Sequence, residues 1–159
     1  MRLTTLSRTA ALVVALFGSL EARAVSPENQ PGLMSRVELW SDGPCLEAGF
    51  PSGVVRNICA DRSITVFFPL IMQNDGTPTV KVFAWGPSKT SDVTCDLFTQ
   101  NYTGSASASS FGTLTLPRSG GTTPQVITWG PRGYSTARTL YVRCKLAFDG
   151  RVFGIQYNQ

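Results

Sequence analysis

The sequence contains no histidine among its 159 residues. That absence removes Ser-His-Asp and Cys-His machinery, which needs an imidazole to take the nucleophile's proton, and it removes the commonest nitrogen ligand for zinc. Cysteine is scarce as well. Cys45, Cys59, Cys95 and Cys144 include no C-x-x-C pair, so zinc ribbons, zinc fingers and thioredoxin-like centres have nothing to stand on. Only 15% of residues are charged, helix-period patterning is nearly missing, and no apolar run approaches the ~20 residues that a membrane-crossing helix needs.

What is present begins with a leader. A short positive start (Arg2, Arg8), an apolar run from Ala10 to Leu20 and the small-residue triplet Ala22-Arg23-Ala24 read as a cleavable export signal over residues 1–24. The mature chain is expected to start at Val25, with residues 25–35 forming a flexible segment and 36–159 a single domain. Roughly 135 residues suffice for one hydrophobic core. The signal carries three of the 14 basic and one of the 10 acidic residues, so the formal net charge of +4 falls to 11 against 9, or +2. The remaining cations are scattered, which argues against nucleic acid as a partner.

Short runs rich in Val, Ile, Thr, Phe and Tyr recur between clusters of Gly, Pro, Asn, Asp and Ser, the punctuation of an all-β domain. Strands are expected at Arg36 to Trp40, Ser63 to Phe68, Thr79 to Trp85, Asp92 to Phe98, Gly112 to Leu116, Gln125 to Trp129, Thr139 to Ala147 and Arg151 to Asn158. About eight strands in this length favour a β-sandwich or jelly-roll over one open sheet, whose second face would lie uncovered. Two stretches also share an order. Each runs strand, proline (Pro69; Pro117), a Gly-Pro turn (Gly76 to Pro78; Gly121 to Pro124), a strand ending Trp-Gly-Pro (Trp85; Trp129), a loop, and V-x-C-x-L (Val93 to Leu97; Val142 to Leu146). This reads as two three-stranded units related by duplication, joined through the Ser/Ala/Gly stretch Gly104 to Ser110.

In both V-x-C-x-L runs, alternation places Val, Cys and Leu on one face. Equivalent inward sulfurs on related strands favour Cys95 with Cys144, leaving Cys45 with Cys59; the other two connectivities stay open. Disulfides fit the oxidising compartment that the leader implies.

No catalytic, metal or cofactor-binding residue can be assigned. The nine acids beyond the signal show no spacing that singles out a pair for glycoside hydrolysis. Asp96 faces outward by alternation, as a solvated charge would, and Asn74-Asp75-Gly76 reads as a tight turn. Flat rings are the remaining route to function, since they can stack on sugars or on partner surfaces. Trp85 and Trp129 share their strand faces with Phe83 and Ile127, which marks a core face. Trp40, beside Ser41-Asp42-Gly43-Pro44, and Tyr134, in the loop from Gly130 to Ala137, are the candidate ligand contacts. Asn101-Tyr102-Thr103 fits a glycosylation sequon, meaningful only in a glycosylating pathway.

The V-x-C-x-L strands Val93 to Leu97 and Val142 to Leu146, the Ser-rich 104–110 loop and the closing Phe153-Gly154-Ile155-Gln156-Tyr157 resemble a loose group of small exported bacterial β-domain proteins. The resemblance implies a bacterial exported β-domain. It supplies no catalytic or binding residue, because the group has no established activity. The chain departs from it where Phe68-Pro69 stands in place of a Cys-Pro pair. The leading expectation is a non-enzymatic surface, envelope or extracellular binding module, secreted or periplasmic, with a carbohydrate or a cell-surface protein as partner. Its competitors are a histidine-free carbohydrate-active enzyme using two carboxylates, and a structural subunit assembling through edge strands. N-terminal peptide analysis of the exported protein should find Val25 first; a chain still beginning at Met1 would remove the export reading.

Overall fold

The computed structural model describes residues 28–31, 36–37, 40–49, 53–72, 75–101, 109–135 and 138–158. The leader and the Gly104 end of the connecting stretch lie outside them. Eleven strands are found among the described residues, and they form two antiparallel sheets. One sheet runs in the order β3 (Leu46–Gly49), β4 (Val54–Asn57), β11 (Arg151–Tyr157), β6 (Val80–Trp85), β9 (Gln125–Trp129), with β1 (Glu28–Pro31) pairing with β11. The other runs β2 (Arg36–Val37), β5 (Ile64–Leu70), β10 (Arg138–Leu146), β7 (Val93–Asn101), β8 (Ser109–Thr115). The protein is an all-β sandwich.

Period-two patterning fills the space between the sheets. From the five-stranded sheet Ile64, Val66, Phe68, Leu70, Val93, Cys95, Leu97, Leu140, Val142, Cys144 and Leu146 are all buried. The six-stranded sheet answers with Val55, Val80, Val82, Ala84, Ile127, Trp129, Val152, Ile155 and Tyr157. At roughly 1.5–3 kcal/mol per fully buried aliphatic or aromatic side chain, this layer is the main driving force. Two disulfides cross-link it. Cys95 and Cys144 sit directly opposite each other on β7 and β10, both wholly buried, with Cα atoms 4.1 Å apart. Cys45 bonds Cys59, joining the 3-10 turn Trp40–Cys45 to the segment after β4.

Several elements differ from the sequence expectation. Of the strand expected at Arg36 to Trp40, β2 holds Arg36 and Val37, residues 38–39 lie outside the described residues, and Trp40 opens a 3-10 turn through Ser41-Asp42-Gly43-Pro44, whose residues carry turn chemistry. Glu28–Pro31, within the segment read as flexible, pair with Gly154 to Tyr157. The β3–β4 hairpin was not anticipated, since four-residue strands show too little alternation to read. Gly53 closes it at φ 65° and donates its N–H to the Gly49 carbonyl at 2.7 Å. Asp92 ends a 3-10 turn (Thr90–Asp92) ahead of β7, and its buried carboxylate accepts the N–H groups of Ser88 and Lys89 at 2.7 and 2.6 Å. Gly86 is required beside it: a Cβ there would lie 2.5 Å from the Asp92 Cβ and 2.9 Å from Leu116 Cδ1.

The two units read from sequence, β5-β6-β7 and β8-β9-β10, visit the sheets in the same order, five-stranded, six-stranded, five-stranded. Their Trp-Gly-Pro alignment does not hold at the level of faces. Val80 pairs with Trp129 and Val82 with Ile127 on the inner face, whereas Trp85 follows Lys81 and Phe83 on the outer one. A slip of one residue reverses every side chain of a strand, so the two tryptophans point opposite ways.

A buried asparagine joins the ends of the sheets. Asn57, fully enclosed, donates to the carbonyls of Arg62 (2.8 Å) and Leu146 (3.0 Å) and accepts the Cys59 N–H at 3.0 Å. Asn57→Ala orphans all three partners and should lower stability by about 2–4 kcal/mol in urea unfolding, with no change in m value. Replacing Cys95 and Cys144 together by Ala should remove about 4 kcal/mol, and the Cys45–Cys59 pair about 3 kcal/mol, by the entropy of loops of roughly 50 and 15 residues. Urea midpoints that reverse this order would show that packing rather than chain closure sets the effect.

Candidate functional site

The outer face of the five-stranded sheet is built by the residues that alternate with its buried ones. Register assembles them into three rows across β5, β10, β7 and β8. The first row is Thr65, Lys145, Thr94 and Thr115; the second Phe67, Arg143, Asp96 and Thr113; the third Pro69, Tyr141, Phe98 and Ser110. Two adjoining depressions lie along these rows. One, of about 240 Å³, is lined by Thr65, Thr94, Asp96, Thr113, Arg143 and Lys145, and the other, of about 160 Å³, by Asp96, Phe98, Ser110 and Arg143.

The third row and Phe67 form an apolar shelf. Phe98 meets Phe67 edge-on at 6.0 Å between centroids and stacks with Tyr141 at 5.5 Å, geometries that aromatic quadrupoles favour. All three rings are half-buried. Arg143 ties shelf to depression: its guanidinium carbon stands 5.8 Å from the Phe98 centroid, and its Nε and Nη2 donate to one oxygen of Asp96 at 3.1 and 2.8 Å. The Thr113 hydroxyl donates to the other Asp96 oxygen. Asp96 does face outward, as alternation indicates, but it is a paired carboxylate with 18% of its side chain exposed. The Lys145 ammonium, the hydroxyls of Thr65, Thr94 and Tyr141, and Nη1 of Arg143 make no hydrogen bond or ion pair among the described residues.

Of the aromatic residues singled out from sequence, Tyr134, Trp85 and Trp129 fall elsewhere. The backbone of Trp40 opens the 3-10 turn, and its side chain lies outside the described residues. Tyr134, expected to be exposed in its loop, is buried at 8%. Its hydroxyl donates to the Arg138 carbonyl, and its backbone pairs with Gly76; Asn74 of the expected tight turn lies outside the described residues. Trp129 is in the core, with Nε1 donating to the Gly112 carbonyl at 3.0 Å. Trp85, taken with Phe83 as core, sits half-buried on the outer face of the six-stranded sheet under the Arg151 guanidinium at 4.7 Å. Sequence reasoning passed over Phe67, Phe98 and Tyr141. Their signal is alternation counted outward from the inward cysteines, since Phe98 and Tyr141 each lie three residues from one, at opposite parity.

Several other carboxylates among the described residues are engaged away from this face. Asp149 pairs with Arg56 and Arg151, and Glu47 with Arg56. Asp61 has its carboxyl lowered by the hydrogen bond from the Arg62 side chain, but the pair is fully exposed and is a solvated surface contact. No group of three or more metal-ligating side chains occurs among the described residues, nor a helix long and apolar enough to cross a membrane.

The architecture is that of the β-sandwiches found in carbohydrate-binding modules. TmCBM61, solved in complex with β-1,4-galactotriose, is similar with a TM-score of 0.50 at 13% identity, covering 81% of this chain and 89% of that one. The module CBM6cm-2 of Cellvibrio mixtus lichenase 5A, solved with cellotriose, is similar with a TM-score of 0.50 at 15% identity, over 83% and 96%. At such identities the likeness establishes the fold. No family model matches the chain, and no curated protein does.

Tyr134→Phe should lower stability by about 1 kcal/mol, the worth of one buried hydroxyl bond, and leave any ligand affinity unchanged. A weakened affinity with unaltered urea unfolding would return Tyr134 to the binding site.

Proposed function

We propose that the protein is an exported, non-enzymatic carbohydrate-binding module that takes its ligand on the outer face of the five-stranded sheet. The observation that carries this reading is the row structure of that face: a shelf of Phe67, Phe98 and Tyr141 beside a depression lined by hydroxyls and charged groups. Saccharides present apolar C–H patches and a dense set of hydroxyls, so they need a ring surface and adjacent polar groups together. The fold shared with TmCBM61 and CBM6cm-2 supports a binding role, and the leader and two disulfides support export. The depression holds a single carboxylate, Asp96, already engaged by Arg143 and Thr113, which favours binding over hydrolysis by paired acids.

The test is a glycan array probed with the oxidised, full mature protein, followed by titration calorimetry on the best ligand. Tyr141→Ala should weaken that affinity about tenfold or more, equivalent to ~1.4 kcal/mol, alongside a stability loss of roughly 1–2 kcal/mol from the half-buried stacked ring, with the protein still folded. Absence of any glycan binding, or affinity indifferent to Tyr141→Ala, would overturn the assignment of this face.

A further inference from the structure

The geometry points to an acidic saccharide, one carrying a carboxylate or sulfate, as the ligand class of this face, with Lys145 as the residue that meets the anion. The inference rests on the carbohydrate-binding reading and specifies it. The depression is lined by two cations and one anion. Asp96 is already satisfied: one oxygen takes both Nε and Nη2 of Arg143, the other takes the Thr113 hydroxyl. The local surplus is therefore the exposed Lys145 ammonium, with the hydroxyls of its row-mates Thr65 and Thr94 and the unused Nη1 of Arg143 around it. Every one of these free groups can donate to an oxyanion, and two of them are positively charged.

Placement agrees with a ligand longer than one sugar. Tyr141, Arg143 and Lys145 are successive outward residues of β10, so the backbone positions of Tyr141 and Lys145 lie roughly 13 Å apart along one strand at ~3.3 Å per residue. A saccharide resting on Tyr141 and Phe98 reaches toward Lys145 with a unit further along its chain, passing over Arg143. A neutral sugar offers Lys145 only hydroxyl oxygens, weaker acceptors than an oxyanion. General attraction is a poor substitute explanation, because the net charge beyond the signal is only 11 against 9.

The experiment compares matched neutral and acidic probes on the oxidised mature protein by calorimetry: galactan oligosaccharides, their sulfated counterparts, oligogalacturonate, and inorganic sulfate alone. The expected result is a preference of at least about tenfold for the acidic saccharides in low salt, shrinking as sodium chloride is raised. Lys145→Gln should abolish that preference, so that acidic and neutral saccharides bind the variant equally. Lys81→Gln, an exposed lysine on the outer face of the opposite sheet, should leave the preference intact. Equal affinity for neutral and acidic saccharides, or a preference lost equally in both variants, overturns the inference while the binding reading survives. Inorganic sulfate binding as tightly as the sulfated saccharide also overturns it. Failure to bind any saccharide removes the reading beneath it.

Discussion

Everything on the five-stranded sheet depends on the register between β7 and β10, where Cys95 stands directly opposite Cys144. A slide of one residue would exchange the two faces of a strand, and burial of one face already opposes it. The covalent bond forbids such a slide at the centre of the sheet. On the inner side it leaves Val93 against Leu146 and Leu97 against Val142, all buried; on the outer side it leaves Asp96 against Arg143 and Phe98 against Tyr141. Core and outer face are therefore two readings of one register. Shifting one strand by a residue would bring Asp96 toward the core and Cys95 to solvent, at the cost of burying an ionised carboxylate.

The sandwich ends are held by polar contacts that the core cannot supply. Asn57 bonds β4 to the end of β10 and to the segment carrying Cys59, so the small disulfide and the sheet termini share one buried side chain. At the neighbouring corner the Asp92 carboxylate organises the Ser88-Lys89 turn while its carbonyl accepts the Ala147 N–H at 2.8 Å. Both residues are buried and polar, and both are fully engaged, which is the condition under which such groups stabilise. Neither role is visible in the sequence, where Asp92 reads as the first residue of a strand, because the Leu146 carbonyl and the Ala147 N–H that complete the two networks lie far along the chain.

That distinction describes what was legible. Alternation over seven to nine residues fixed β5, β7, β10 and β11 closely, and the inward parity of the V-x-C-x-L runs is the parity observed. Four-residue β3 and β4 carry too few alternations to stand out from turns. Tryptophan misled for a related reason. Trp85 and Trp129 occupy matching places in the chain order, but face is set by pairing with a neighbour, and no neighbour is visible in one dimension. Size also drew attention to tryptophan over the Phe and Tyr residues that line the outer rows. Phe67 and Phe68 are adjacent in sequence, yet one is half-buried on the binding face and the other fully buried behind it.

A binding face on a pinned sheet differs physically from one on loops. Its side chains start close to their bound arrangement, so less conformational entropy is lost on association and weak contacts to hydroxyls can sum to useful affinity. Arg143 illustrates the division of labour. With two nitrogens on Asp96 and its plane near Phe98, it is itself held in place, and drawing it away to meet a ligand anion would sacrifice both contacts. The pair is half-exposed and worth only about 0.2–1 kcal/mol, but breaking it would also leave Asp96 facing the incoming negative charge. Arg143 therefore serves best by neutralising Asp96 and supporting the shelf, and discrimination by charge falls to Lys145, whose ammonium gives up only water when a ligand arrives.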